Sequence, residues 1–336
     1  MTLAQVAELS GVSRSTASRV LNGDERVSDD ARDRVLRAAD SIGYRPNRAA
    51  RSLASGRSSI VGLVLPTEHL TADPYGSQVI SGVVAAANER DQQVMLWLTH
   101  QGPDETVQTI FRNGIVDGLI VAAPALGDDW VEELIDGPMP TVLIGRHPTR
   151  RDVNVVDIDD VGGARLAVDH LVGLGHRRIA TITGNMARPD AAARYQGYVA
   201  ALEAHGIALD ERLVAAGTYT PSSGVAAMVR LLKHRPTAVF AANDQMAHGA
   251  YEAIEIAGLR IPEDVSVVGF DGFSSFSEPD PPLTTVRQDL AAIGEHVVDV
   301  LLQASGSDDH ETLRVTVGVE LVERSSTGPP ATGPPP

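Results

Sequence analysis

Cysteine is absent from the 336 residues. Its absence removes a disulfide framework, a thiolate metal site and a cysteine nucleophile, and it suits a reducing cytoplasm. Lysine is almost absent too. Lys233 stands alone, so arginine is the only long cation available for phosphate or guanine. No apolar run is long enough to cross a bilayer, and the N-terminus lacks the charged-then-apolar layout of a signal peptide. A cytoplasmic protein is expected. The chain carries no Walker loop, no Gly-x-Ser-x-Gly elbow and no His-Glu-x-x-His. Gly173-Leu-Gly175 ends a helical stretch and precedes a strand, the reverse of a dinucleotide loop. The ten histidines show no metal spacing, and His170 and His176 merely flank a helix end. These absences point away from catalysis, and no cofactor or metal is expected.

What is present is unevenly charged. The net charge of −16 argues against a nucleic-acid partner until its distribution is read. Residues 1–57 hold ten arginines against seven acids, a balance of +3, and the remainder carries −19. A basic head on an acidic body fits a small DNA-binding module joined to something that need not touch DNA. The length predicts two or three domains, with a hydrophobic content of 43%, ordinary for a globular chain.

The head starts with Thr2 and Gln5, the ends of a capping box. Leu3, Val6 and Ala7 follow at helical spacing, and Ser10-Gly11 stops the helix at a residue that tolerates positive φ. Ser13 caps a second helix with Arg14, Ser15 and Thr16 in its first turn, Arg19 one turn on, and Val12 and Val20 anchoring it. Two short helices joined by a glycine turn make a helix-turn-helix, although a small helical hairpin with a solvated face reads the same way. Ser28 to Gly43 predicts a third helix, with Val35, Leu36, Ala39 and Ile42 as its apolar stripe. The stretch from Tyr44 to Arg57 reads as a marginal short helix after Pro46 or as a basic linker.

From Ser59 the texture changes to short apolar strands alternating with amphipathic stretches. Strands are expected near Ile60–Leu65, Val94–Leu98, Gly118–Ala122, Thr141–Ile144, Ile179–Thr183, Ala238–Ala242 and Val265–Phe270. Helices are expected near Gly76–Arg90, Asp104–Asn113, Val161–Leu174, Ala191–Ala204, Ser222–His234, Gln245–Ala257 and Asp289–Gln303. That alternation predicts parallel sheets covered by helices, and the length predicts two α/β lobes with a ligand cleft at the strands' carboxyl ends. The tail, Thr327 to Pro336, is half proline and is expected to be disordered.

With head, linker and body in place, the chain resembles the lactose-repressor/galactose-repressor family of bacterial transcription regulators from Thr2 to about Arg324. The resemblance is carried by Val6 to Asn22, Gly43 to Leu53, Val116 to Ile120, Leu174 to Ile179, Ala242 to Met246, Ile261 to Asp271 and Pro281 to Asp289. It implies an all-α helix-turn-helix domain (1–44), a hinge (45–57) and an α/β body of two parallel-sheet lobes resembling periplasmic binding proteins. The first lobe would hold 58–158 and 289–317, the second 159–288 and 318–326.

It further implies a homodimer on a pseudo-palindromic operator, with the second helix of each head in a major groove. Arg14, Ser15 and Arg19 would face base edges, and Ser13, Thr16, Ser18 and Asn22 phosphates. Ala17 stands where the family more often has a larger β-branched residue. The hinge would enter the minor groove, with Leu53 as a wedge, Ala50 and Ala54 allowing close approach, and Asn47, Arg48 and Arg51 on phosphates. For the effector the resemblance assigns Arg194, Tyr219, Asn243, Asp271 and Gln288, with Tyr219 as an aromatic face for a sugar ring. Thr67, Tyr75 and Ile158 are the first-lobe candidates. Asn243 also reads as a helix N-cap, and Asp271-Gly272 as a turn. Gly145-Arg146 stands where the family often has a carboxylate. Mono- or disaccharides are therefore expected as effectors, with an acidic or phosphorylated ligand left open, and with induction favoured over corepression. The family's C-terminal tetramerisation helix is not evident in this proline-rich tail, so a dimer is expected.

Overall fold

Thr2 is extended, and its hydroxyl accepts from the Gln5 N–H at 3.4 Å while Gln5 Oε1 accepts from the Thr2 N–H at 2.9 Å. This reciprocal cap starts α1 (Leu3–Ser10), and Gly11, at φ 63°, ends it. The computed structural model describes residues 1–21, 23–24, 26–45, 57–66, 74–99, 114–124, 129–273, 279–306 and 311–331. They fall in two units, Met1–Ser58 and Ser59–Pro336. Asn22, Thr67, the expected helix at 104–113 and the hinge residues Asn47, Arg48, Ala50, Arg51, Leu53 and Ala54 lie outside the described residues.

In the first unit the Ser13 hydroxyl accepts from the Thr16 N–H at 3.1 Å and opens α2 (Arg14–Leu21). α3 (Asp29–Ser41) follows Ser28, which takes the extended cap conformation without a side-chain cap bond. Val6, Ala7, Ala17, Val20, Val35, Ala38 and Ala39 form the shared core. Ala17 is fully buried, so a small residue closes α2 onto its neighbours. Leu36 departs from expectation and is 49% exposed. The stripe that turns inward is Ala31, Val35, Ala38 and Ala39, and Leu36 lies a helical step away from it.

The second unit contains two six-stranded sheets. The first comprises β1 (Ile60–Pro66), β2 (Gln93–Thr99), β3 (Gly118–Ala122), β4 (Thr141–Ile144), β5 (Asn154–Ile158) and β11 (Arg314–Val317), in the order β11-β5-β4-β3-β1-β2. The second comprises β6 (Ile179–Thr183), β7 (Val214–Ala216), β8 (Ala238–Ala241), β9 (Ser266–Asp271), β10 (Thr284–Gln288) and β12 (Val319–Val322), in the order β12-β10-β9-β8-β6-β7. Every pairing is parallel except β10 with β12. Central strands such as β3, β4 and β6 are buried throughout, as parallel strands covered on both faces must be.

The helices are α4 (Pro74–Glu89), α5 (Asp129–Ile135), α6 (Asp160–Gly173), α7 (Pro189–Ala204), α8 (Pro221–Leu232), α9 (Asp244–Ile256) and α10 (Leu290–Gly306). The chain passes between the sheets after Ile158, after Gln288 and at Gly318. α4 and α10 cross at a pair of glycines. A Cβ on Gly294 would lie 2.4 Å from the Gly82 carbonyl carbon, so neither position has room for a side chain.

The tail is the clearest correction. Residues through Ala331 are described, and Thr327 to Gly328 are docked rather than disordered. Ser326 is fully buried, its hydroxyl accepting from the Thr284 N–H (2.7 Å) and donating to the Val267 carbonyl (2.6 Å). His176 Nε2 lies 2.8 Å from the Gly328 carbonyl and its Nδ1 2.9 Å from Thr237 Oγ1, while His170 Nε2 meets Thr327 Oγ1 at 2.9 Å. Proline-richness removes donors but says nothing about the buried partners that await the polar residues beside it.

Burial lowers the His176 pKa below its ordinary value. The unfolded chain therefore takes up a proton before the folded chain does. The stability tied to neutral His176 is present above about pH 6.5 and is lost as pH falls below that value. Urea denaturation at pH 7.5 and 5.5 is expected to show a loss on acidification that shrinks in His176→Asn. An equal pH dependence in both proteins would refute the assignment.

Candidate functional site

The carboxyl ends of the parallel strands converge on one cleft in the second unit, lined from both sheets. β4 delivers Gly145 and Arg146, β5 delivers Asp157 and Ile158, and Asp160 opens α6. β6 leads into Arg188 and Asp190, α7 carries Arg194, and Tyr219 precedes α8. β8, β9 and β10 end at Asn243, Asp271 and Gln288. Tyr75, in the first turn of α4, completes the wall.

Arg194 is the centre of the second-lobe side. Its side chain is 6% exposed. Nε donates to Asp160 Oδ1 at 2.8 Å, and Nη1 donates to the Ala242 carbonyl at 2.6 Å and to Asp271 Oδ1 at 3.3 Å. Gln288 Nε2 donates to the same Asp271 oxygen at 2.6 Å. The guanidinium also sits 3.7 Å from the centre of the Phe270 ring, a cation–π contact within a desolvated site. Burial pushes the Asp160 carboxyl up to about 7 despite the pull of Arg194. Burial also opposes charge on Arg194, but Asp160 and Asp271 overcome it and hold that guanidinium well above its ordinary value.

A second network lies beside it. Arg188 Nε donates to Asp190 Oδ1 at 3.1 Å, and the Tyr219 hydroxyl donates to Asp190 Oδ2 at 2.7 Å. Burial would raise the Asp190 pKa. Arg188, Arg194 and the Tyr219 hydroxyl outweigh it and hold the carboxylate at about 2, so it stays ionised. On the first-lobe side Arg146 Nε donates to Asp157 Oδ2 at 2.7 Å. The Tyr75 phenol is raised by burial and feels Arg188 and Asp190.

Ala123, Tyr219 and Asp271 hold φ values of 55°, 64° and 113°, and all three line the cleft. Such backbone costs on the order of 1–3 kcal/mol per residue and persists where surrounding bonds impose it. Asn243 supplies one such bond. Its Nδ2 donates to the Tyr219 carbonyl at 3.3 Å, while its Oδ1 accepts from the Met246 N–H at 2.9 Å as the N-cap of α9. The cap and the cleft readings of Asn243 thus coexist. Asp271 ends β9 in the cleft, and no turn follows at Asp271-Gly272; instead Asp244 Oδ2 accepts from the Gly272 and Phe273 N–H groups at 2.8 and 3.0 Å.

Arg194, Tyr219, Asn243, Asp271, Gln288, Tyr75 and Ile158 are therefore brought together. Tyr219 is placed as expected but used differently. Arg188 lies 5.4 Å over its ring, and a Cβ on Gly184 would lie 2.1 Å from its Cζ. The ring is packed against its own protein and is not an open stacking face. Sequence reasoning missed Asp157, Asp160, Arg188 and Asp190. A signal existed for the first two, because carboxylates flanking the end of an apolar strand lie where ligands bind in such sheets.

In the first unit Ser13, Arg14, Ser15 and Arg19 are exposed, and Thr16 and Ser18 are half-buried. Ala17 and Val20 face the core from the opposite side of α2. The Ser13 hydroxyl, besides capping Thr16, lies 2.8 Å from Ser15 Oγ and 2.9 Å from Thr16 Oγ1. The outer face of α2 thus presents two arginines among small hydroxyls, a donor set suited to guanine edges and phosphates. Among the described residues no cluster of His, Asp or Glu could hold a metal, and no helix is long and apolar enough to cross a membrane.

Residues 2–47 match the lacI family of bacterial regulatory proteins, and residues 168–327 match the periplasmic binding protein-like domain. The HTH-type transcriptional regulator CelR of Thermobifida fusca is 38% identical over 332 residues, covering 97% of this chain and 98% of that protein. A solved CelR–cellobiose complex superposes with a TM-score of 0.76 at 36% identity, over 97% of this chain and 99% of that one. The lac repressor dimer bound to operator and the anti-inducer ONPF superposes with a TM-score of 0.80 at 32% identity, over 98% and 99% of the two chains.

Proposed function

Because this chain belongs to the lacI family of bacterial regulatory proteins, we propose that it is a cytoplasmic repressor that grips a pseudo-palindromic operator as a homodimer and lets go when a sugar occupies its cleft. It is a transcription regulator and not an enzyme. The cleft is the observation that carries the effector half of this reading. Guanidinium, carboxylate and amide groups from two lobes converge at strand ends, the arrangement that hydrogen-bonds vicinal hydroxyls cooperatively.

Arg14, Ser15 and Arg19 read bases, and Ser13, Thr16, Ser18 and Asn22 fix the head on phosphates. Leu53, with Ala50 and Ala54, enters the minor groove, while Asn47, Arg48 and Arg51 hold the backbone there. A sugar that prefers one relative arrangement of the lobes shifts the two heads out of register with the half-sites, and by linkage the operator weakens sugar binding by the same factor.

The test is fluorescence anisotropy of the full chain on DNA from its own promoter region, with cellobiose and other neutral saccharides added. Sequence-specific retention and at least a tenfold weakening by one saccharide are expected. Retention of scrambled DNA as firmly as promoter DNA would sink the regulator reading.

A further inference from the structure

The polar atoms of the cleft are unequally committed. On the second-lobe wall Asp190 engages both carboxylate oxygens, Asn243 engages both ends of its amide, and Arg194 serves three acceptors. On the first-lobe wall Arg146 makes, among the described residues, a single hydrogen bond, through Nε, to one oxygen of Asp157. Among the described residues neither terminal nitrogen of Arg146 has a hydrogen-bond partner. Its side chain is 33% exposed, against 6% for Arg194. Arg146 and Asp157 stand at the carboxyl ends of the adjacent strands β4 and β5, so one pair offers donors and an acceptor side by side toward the cleft.

The charges decide what such a pair receives. Three arginines line the cleft, and each is ion-paired: Arg146 with Asp157, Arg188 with Asp190, and Arg194 with Asp160 and Asp271. Four aspartates against three arginines leave the described lining with no cation in excess. A phosphate or carboxylate that accepts from an Arg146 Nη would lie against the Asp157 carboxylate and would find no unpaired cation to offset its charge. A neutral vicinal diol has no charge to offset. One hydroxyl accepts from an Arg146 Nη while its neighbour donates to Asp157.

We propose that the Arg146–Asp157 pair is the specificity determinant of the cleft, selecting a neutral saccharide by a vicinal diol and rejecting its acidic and phosphorylated counterparts. This rests on the effector reading above and decides the ligand charge which the sequence leaves open. Asp157 acts here as a gate against anions as much as a ligand for hydroxyls. Neutralising it releases Arg146 as an uncompensated cation, and the preference should turn.

Calorimetry on the full chain tests this, with cellobiose, glucose and ribose each titrated beside its phosphate ester. The unaltered protein is expected to bind at least one neutral sugar tenfold or more tightly than its ester. In Asp157→Asn the neutral sugar should weaken by tenfold or more while the ester gains. Arg146→Gln should weaken the neutral sugar without any gain for the ester, which covers the case in which Asp157→Asn does not fold. An ester bound as tightly as its sugar by the unaltered protein overturns the proposal. So does unaltered discrimination in both variants. Failure of the unaltered protein to bind any sugar or ester overturns the effector reading itself.

Discussion

Arg194→Ala is expected to lower the stability of the body by about 3–5 kcal/mol, the range found when one partner of a buried ion pair is removed. The reason is what remains. Asp160 and Asp271 are 1% and 5% exposed, and each loses the cation that offsets its desolvation. The Ala242 carbonyl loses a donor at 2.6 Å, and the Phe270 ring loses the guanidinium above it. For a unit of this size the change corresponds to roughly 6–20 °C in Tm. Asp160, already raised to about 7 with Arg194 in place, is driven higher without it. A carboxyl whose folded pKa exceeds its unfolded value gives stability that is full at low pH and is lost as pH rises through the folded value. The deficit of the variant should therefore be larger at pH 8 than at pH 5.5. Urea unfolding of both proteins at the two pH values measures it. A deficit below about 1 kcal/mol, in the range of surface pairs, would mean that the network is not the keystone its burial makes it.

Arg194 also shows where sequence reading works and where it stops. Its position and that of Asp271 could be carried over from motifs, but the pairing between them and the second partner, Asp160, could not. Asp160 is 34 residues away and Asp271 is 77, and nothing in the sequence around Asp160 ties it to the other two. Strands β3 and β4 were legible because they are short, mainly apolar runs buried on both faces. β10 was not, since Thr284-Thr-Val-Arg-Gln288 reads as polar. Its threonines are buried because tertiary partners satisfy them, Asp244 Oδ1 accepting from Thr285 Oγ1 at 2.6 Å and Ser326 Oγ accepting from the Thr284 N–H. β7 is three residues long, and β11 and β12 are half-exposed edge strands. α5 is a helix of seven residues, too short for a helical period to stand out. Tyr219 was legible as a cleft residue, yet its role depends on Arg188, which reaches its ring only in the folded chain.

Arg19→Ala is expected to abolish specific operator binding while leaving weak, salt-sensitive binding to any DNA. Arg19 is exposed in the last turn of α2, on the face opposite the buried Ala17 and Val20. Removing it opens no cavity, so the fold of the head should survive and the loss can be read as recognition. A bidentate arginine on guanine is worth roughly 1–3 kcal/mol of discrimination, and a dimer loses it in both half-sites. The expected total of about 2–6 kcal/mol corresponds to a weakening between roughly thirtyfold and more than ten-thousandfold at fixed salt. Non-specific binding is set by phosphate neutralisation, so it should keep nearly the same salt slope. Anisotropy on operator and scrambled DNA, each at 50 and 200 mM salt, separates the two effects. A uniform loss on both sequences with a reduced salt slope would move Arg19 from base edge to phosphate. An unchanged operator affinity would remove α2 as the reading helix altogether.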